Sequence, residues 1–359
     1  MIGTRPEAIK LQPLAHALRN CGVLPTLVFT GQHAGLDPAA FGLDEFPRID
    51  LRCAGRENPH LHVQDVTQTM LPLLRTPPDV LVVQGDTSSA LGAALAGFTA
   101  GIPVAHVEAG LRTYDTQLPW PEEEYRTAID TQAEILFAPT ERAAENLRAE
   151  RVTGDIHVTG NTGIDALMAV EQRLPGCVVS DRRLPQILVT CHRRESWGEG
   201  LASIGGAVRD LARHARINLI LHPNARVAGQ IRALLADVPG VSLVAPCGHP
   251  ELVRRMRDAD LILSDSGGIQ EEAPALGVPL LVLRDKTERP EAIEAGAARL
   301  VGTDADRIVS EARRLLDDPS ERAAMSRRVY PFGDGRAAPR IAAIIATWLE
   351  QTQLARRLA

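Results

Sequence analysis

A repeated alternation of short apolar runs and amphipathic stretches constrains this chain more than any other feature. In the first half the runs are Leu24–Thr30, Val80–Asp86, Val104–Gly110, Ile135–Thr140 and Ile156–Gly160. In the second half they are Ile187–His192, Ile217–His222, Val241–Ala245, Leu261–Asp265 and Leu280–Arg284. Helical patterns such as Gly200–His214 and Arg226–Ala236 fall between them. Apolar strands alternating with helices build parallel sheets covered on both faces. The chain has 359 residues, too many for one ordinary core, so two such sets predict two Rossmann-like, doubly wound α/β domains. The expected division is residues 1–173, a linker Leu174–Pro185 carrying two prolines and a glycine, and residues 186–338. Residues 339–359 read as a long terminal helix that crosses back to the first domain. One element is missing from this scheme. The chain opens on GTRPEA, a loop-and-helix signal, without the central strand that normally feeds such a loop. Either the true start lies elsewhere or the sequence lacks its first N-terminal strand, which would expose two sheet edges.

Composition excludes several classes. The net charge of -6 argues against a nucleic-acid partner, although a local basic pocket for a phosphate stays open. Basic residues are overwhelmingly Arg; Lys occurs only at Lys10 and Lys286. No apolar run approaches the ~20 residues of a membrane span, and the N-terminus carries no signal-peptide pattern. The five cysteines are scattered, with no CxxC pair, which predicts free thiols in a reducing cytoplasm. His60 and His62 read as surface histidines, and no metal or cofactor is expected.

In open α/β sheets ligands bind beyond the carboxyl ends of the strands, so chemistry is expected in the loops there. Gly3–Lys10 (GTRPEAIK) places Arg5 and Lys10 near a helix start, where partial positive charge disfavours cations unless an anion joins them. Asp86, in GDT, suits either a plain helix cap or a site acid. Alternation along Val104–Gly110 puts His106 and Glu108 on one strand face, where a buried acid must be used or paired, with Arg112 as one available partner. In PWPEEEYR, Glu122 opens a helix and stands four residues before Arg126, so the two could simply pair. His192, in CHRRES, is the type of residue used for proton transfer, with arginines suited to phosphate beside it. In LSDSGGIQEE a strand ends at a glycine turn that opens a helix. Ser266, Gly267 and Gly268 there form an anion site from backbone N–H groups, and Glu272, one turn on, suits a ribose diol. The turn is not a GxGxxG fingerprint, which argues against a dinucleotide site.

Taken together, GTRPEAIK, TGQH, GDT, HVEAGLRT, PWPEE, TGNTGIDAL, HRRES, DSGGIQEEAP and RPEA resemble, in order, the non-hydrolysing UDP-N-acetylglucosamine 2-epimerase family. The strings are long and run from residue 3 to beyond residue 300, nearly the whole chain. The resemblance implies a glycosyltransferase B-like fold with the active site in the interdomain cleft, and a homodimer. It implies a UDP-sugar as substrate, with Asp86, Glu108 and Glu122 as the catalytic carboxylates. Ser266, Gly267 and Gly268 would hold the diphosphate, Glu272 the ribose and Arg289 the nucleotide side. Arg5, Lys10, Arg126 and His192 would line the substrate. Two positions depart from the family. Leu252 stands where an aromatic lies near the uracil. Gly35 stands where many bacterial members carry a glutamine used in activation by a second UDP-sugar, so the resemblance does not extend to that control. The implied reaction is elimination of UDP to a 2-acetamidoglucal, then re-addition with C2 inverted. It needs cations on the leaving diphosphate and proton-transfer groups on both sugar faces. A hydrolysing epimerase, a transferase of the same fold and a silent UDP-sugar sensor are the competing readings.

Overall fold

The computed structural model describes residues 1–176, 184–191 and 198–358. The chain divides into two compact units, Met1–Ala166 with Phe332–Ala359, and Leu167–Pro331. The first border falls inside the helix Thr162–Glu171, ahead of the expected linker, part of which lies outside the described residues. The return to the first unit begins at buried Phe332, whose carbonyl accepts the Asn161 N–H at 2.7 Å.

The first unit contains β1 (Leu27–Phe29), β2 (Arg48–Asp50), β3 (Leu81–Gln84), β4 (Val104–Val107), β5 (Ile135–Ala138) and β6 (Asp155–Val158). β1 and β2 pair, β3 to β6 form a four-stranded sheet in sequence order, and all pairings are parallel. A short stub, Met1 and Ile2, lies between the two sheets. Ile2 bridges Phe29, its N–H donating to Val28 O at 2.8 Å, while the Met1 amine donates to Val82 O at 3.0 Å. The spatial order therefore reverses at the stub and β3, the kind of crevice where α/β sheets bind ligands. Gly3 closes this junction. A Cβ there would stand 1.9 Å from Ser89 Oγ and 2.7 Å from Thr30 Oγ1, so a side chain would force the sheet and the helix Ser88–Ala100 apart.

The terminal helix Ala337–Leu358 belongs to this unit. Its Ala338, Ile341, Ala342 and Ile345 join the core of Ile2, Leu11, Leu14, Phe29 and Phe137. Asp165 caps its start, accepting from Ala337 N at 3.1 Å and Ala338 N at 2.8 Å.

The second unit contains β7 (Gln186–Thr190), β8 (Arg216–Ile220), β9 (Val241–Val244), β10 (Leu261–Ser264), β11 (Leu280–Val282) and β12 (Ala298–Leu300). They form one parallel sheet in the order β12-β11-β10-β7-β8-β9. The central strand β10 is buried along its whole length and apolar up to its final Ser264, as a strand covered on both faces must be. The order reverses between β7 and β10, whose ends are joined by a Thr190–Ser264 hydroxyl hydrogen bond of 2.6 Å. Among the described residues no helix is long and apolar enough to cross a membrane. Cys21, Cys53, Cys191 and Cys247 are free thiols.

Candidate active site

In the first unit the helix Arg5–Asn20 starts with a capping box. Glu7 accepts from Thr4 N at 2.6 Å and Gly3 N at 3.0 Å, and Thr4 Oγ1 accepts from Glu7 N. The other Glu7 oxygen accepts from Thr87 Oγ1 at 2.8 Å, tying the GTRPEA loop to the GDT loop. Burial pushes the Glu7 carboxyl up against the pull of these hydrogen bonds. Sequence reasoning passed over Glu7 as a site residue, although Thr-x-x-Glu before a helix is the signal for such a box.

Arg5, first in the helix, is exposed. Lys10, one turn further, is buried, and its Nζ donates to both Glu108 oxygens at 2.8 and 2.7 Å. The anion that justifies this cation is thus a side chain of the protein itself. Gln84 Nε2, at the end of β3, donates to the same carboxylate. Glu108 lies one residue beyond β4 with φ of 71°, in the left-handed region. A non-glycine residue held there stores strain, which is common where a side chain must be aimed. The turn also ends strand alternation at Val107, so the expected shared face of His106 and Glu108 does not exist. His106 is fully buried, its Nδ1 2.6 Å from Asp130 and its Nε2 2.8 Å from Gly85 O. Arg112 pairs with Asp130 and Glu150 at 2.8 and 2.7 Å, which removes it as the expected partner of Glu108. Burial pushes the Asp130 carboxyl up, but the charges and hydrogen bonds of His106 and Arg112 outweigh it and hold it below its ordinary range.

Asp86 is not a helix cap, because Thr87 takes that position and accepts from Ala90 N at 3.0 Å. Its partner is Arg126, whose Nη2 donates at 2.5 Å. Asp86 keeps more than a quarter of its side-chain surface open, so the pair is reachable from solvent. Glu122 opens the helix Glu122–Gln132 and is half-buried. Arg126, which the sequence offered as a partner for Glu122, pairs with Asp86 and with Glu123, the latter at 3.3 Å. Glu123 is structural: it accepts the N–H groups of Thr113 and Tyr114. Two cations and the carboxylates of Asp86 and Glu108 therefore meet at the ends of the paired strands β3 and β4. Glu122 lies one helical turn before the arginine that grips Asp86.

In the second unit, the helix Gly267–Leu276 starts directly after β10 at the reversal of strand order, with Ser266 as its cap residue. The Arg289 guanidinium lies against Gly267, where a Cβ would come within 2.7 Å of Nη1. Arg289 Nε donates to Glu271 at 2.6 Å and Nη1 donates to Glu288. An arginine is thereby fixed beside free helix N–H groups, which suits an anionic ligand. Glu272, on the face of Gly268, accepts from His249 Nε2 at 2.8 Å. His249 was not among the residues read as functional. Its position at the first residue of the helix His249–Arg257, where a cation is disfavoured, was the available signal. His192, expected after β7, lies outside the described residues.

His62 is not a surface residue. It lies in the helix Pro59–Met70, buried, 2.7 Å from Ser88 Oγ and 3.1 Å from Cys53 O. Among the described residues no group of three or more His, Cys, Asp or Glu could hold a metal ion.

Comparison with known proteins agrees with this architecture. The family described as UDP-N-acetylglucosamine 2-epimerase matches residues 16–346. The UDP-N-acetylglucosamine 2-epimerase of Escherichia coli (strain K12) is 44% identical over 365 residues, covering 95% of this chain and 96% of that protein. The enzyme of the same name from Salmonella typhimurium is 43% identical over 363 residues, covering 95% and 96%. The crystal structure of UDP-GlcNAc 2-epimerase from Neisseria meningitidis bound to UDP-GlcNAc superposes with a TM-score of 0.91 at 36% identity, covering 96% of this chain and 98% of that one. Fold, motifs and full-length similarity agree: this chain belongs to the UDP-N-acetylglucosamine 2-epimerase family and has its glycosyltransferase B-like fold.

Proposed function

We propose that this protein reversibly inverts C2 of UDP-N-acetylglucosamine to give UDP-N-acetylmannosamine, without hydrolysis, by eliminating and re-adding UDP through a 2-acetamidoglucal. The observation that carries the reading is Glu108: a buried carboxylate held in a strained backbone conformation by Lys10 and Gln84, at a strand end beside Asp86. A protein that only bound a diphosphate would gain nothing from acids placed there.

The C2 hydrogen of an N-acetylhexosamine is not adjacent to a carbonyl, so direct removal is hard. Loss of UDP from C1 first leaves an oxocarbenium-like sugar whose C2–H is acidic. The Ser266–Gly268 N–H groups and Arg289 stabilise the charge that builds on the departing diphosphate, with Arg5 and His192 as further donors. A carboxylate among Asp86, Glu108 and Glu122 takes the C2 proton, and another returns a proton to the opposite face. Lys10 and Arg126 fix the two acids they touch. The C1 electron pair returns from UDP to close the cycle, so atoms balance without a cofactor. One substrate must meet both clusters, and the glycal must stay bound between the two half-reactions. On this reading the enzyme works in the cytoplasm as a homodimer and supplies precursors for cell-surface polysaccharide.

The test is incubation with UDP-N-acetylglucosamine in deuterated water, followed by proton NMR. Deuterium at C2 of intact UDP-sugar of both epimers is expected. Free N-acetylmannosamine with UDP would instead establish the hydrolysing reaction, and intact sugar without exchange would point to a transferase or sensor.

A further inference from the structure

Glu272 and His249 form a pair that the catalytic cycle above does not use. Both side chains are about nine-tenths buried, and Nε2 lies 2.8 Å from Oε1. The imidazole therefore occupies one carboxylate oxygen and leaves the other for a ligand. Glu272 lies one helical turn after Gly268, on the helix whose first residue, Gly267, touches the Arg289 guanidinium. We propose that His249 is a positioning and charge-balancing residue of the nucleotide subsite: it orients Glu272 toward the ribose diol and cancels its charge against the incoming diphosphate. This rests on the assignment of Glu272 to the ribose made above.

A UDP-sugar brings two negative charges on its diphosphate. A bare glutamate nearby would repel them, whereas a carboxylate matched by an imidazolium presents no net charge yet still accepts hydroxyl hydrogen bonds. Burial, and the partial positive charge of its own helix start, both oppose protonation of His249. The Glu272 charge and hydrogen bond outweigh burial and raise the imidazole above its ordinary 6.5. Of the other charges on the two helices, Glu271 pairs with Arg289 and Glu251 with Arg254 and Arg255, while Arg257 stands at the opposite end of the His249 helix. The sign follows directly. The raised group is charged at low pH and loses its proton as pH climbs through that value, leaving Glu272 uncompensated. Substrate binding should therefore weaken on the alkaline side.

The experiment is steady-state kinetics with UDP-N-acetylglucosamine from pH 6 to 9, a range in which its diphosphate does not titrate. Wild type, His249→Gln, His249→Ala and Glu272→Gln are compared, with melting curves for each. For the wild type, KM should rise with pH while kcat follows the catalytic acids. His249→Gln keeps an N–H donor without charge, so at pH 6.5 its KM should rise by about fivefold with kcat nearly unchanged. Its KM should also lose the alkaline rise. His249→Ala should be worse, and Glu272→Gln should also lose the rise. A wild-type pH dependence of KM retained in His249→Gln would overturn the proposal. So would a loss confined to kcat and stability, which marks a merely structural histidine. If Glu272→Gln itself leaves KM unchanged at every pH, the ribose assignment fails, and that outcome is distinct from a silent His249.

Discussion

Glu108 joins three features that are invisible one at a time: a left-handed backbone, a buried carboxylate and a lysine 98 residues away in sequence. Removing one member of such a pair leaves a lone buried charge, at a cost of about 3 kcal/mol. Lys10→Met and Glu108→Gln should each destabilise by about that much, while the double variant costs less than their sum by about 1–3 kcal/mol in denaturant melts. Glu108→Gln should also lower kcat by about 10²–10⁴-fold if it moves a proton. Residue type and motif pointed to Asp86, Glu108, Glu122, Lys10 and Arg126. Their pairing was not legible, because sequence neighbours offered Arg112 for Glu108 and Glu122 for Arg126. In the fold Arg112 pairs with Asp130 and Glu150, and Arg126 with Asp86 and Glu123, residues distant from or unmarked in the motifs.

Elements carry the site through their ends. Gly267 and Gly268 look equivalent in sequence but not in space. A Cβ on Gly267 meets the Arg289 guanidinium at 2.7 Å, whereas the nearest atom to one on Gly268 is Ser266 Oγ at 4.0 Å. Gly268→Ala should therefore melt within about 2 °C of wild type, since alanine suits a helix. Its KM should still rise about tenfold, because the methyl covers the N–H groups proposed above to hold the diphosphate. The His106–Asp130–Arg112 group fastens the helix Glu122–Gln132 to the end of β4, and its contribution depends on pH. The Asp130 carboxyl lies below the ordinary 3.8, so its stabilisation is complete above that value and lost as pH falls through the lowered one. Asp130→Asn should cost about 3 kcal/mol at pH 7, and the gap from wild type should close only below about pH 4 in melts across pH. Strands with long apolar runs were legible, with ends shifted by a few residues. β2 and β12 were not, being three residues long with polar positions, too short for a period to register.

The whole molecule is two doubly wound units, and the chain returns to the first at its end. Asp165 marks that return by capping the helix Ala337–Leu358. Asp165→Ala should cost about 1 kcal/mol and speed hydrogen exchange at the amides of residues 337–338, with exchange in the second unit unchanged. The two-domain plan was legible from alternation alone. The borders were not, since one falls within a helix, where composition does not change. The way Met1 and Ile2 link the two sheets of the first unit was not legible, because two residues carry no period. The proposed reaction needs the glycine turn and the carboxylates to act on the same ligand, which a co-crystal structure with UDP-N-acetylglucosamine tests most directly. It should place the diphosphate on the N–H groups of Gly267 and Gly268, and C2 within about 3.5 Å of a carboxylate oxygen of Asp86, Glu108 or Glu122. A diphosphate bound away from that turn, or a C2 beyond reach of all three carboxylates, would contradict it.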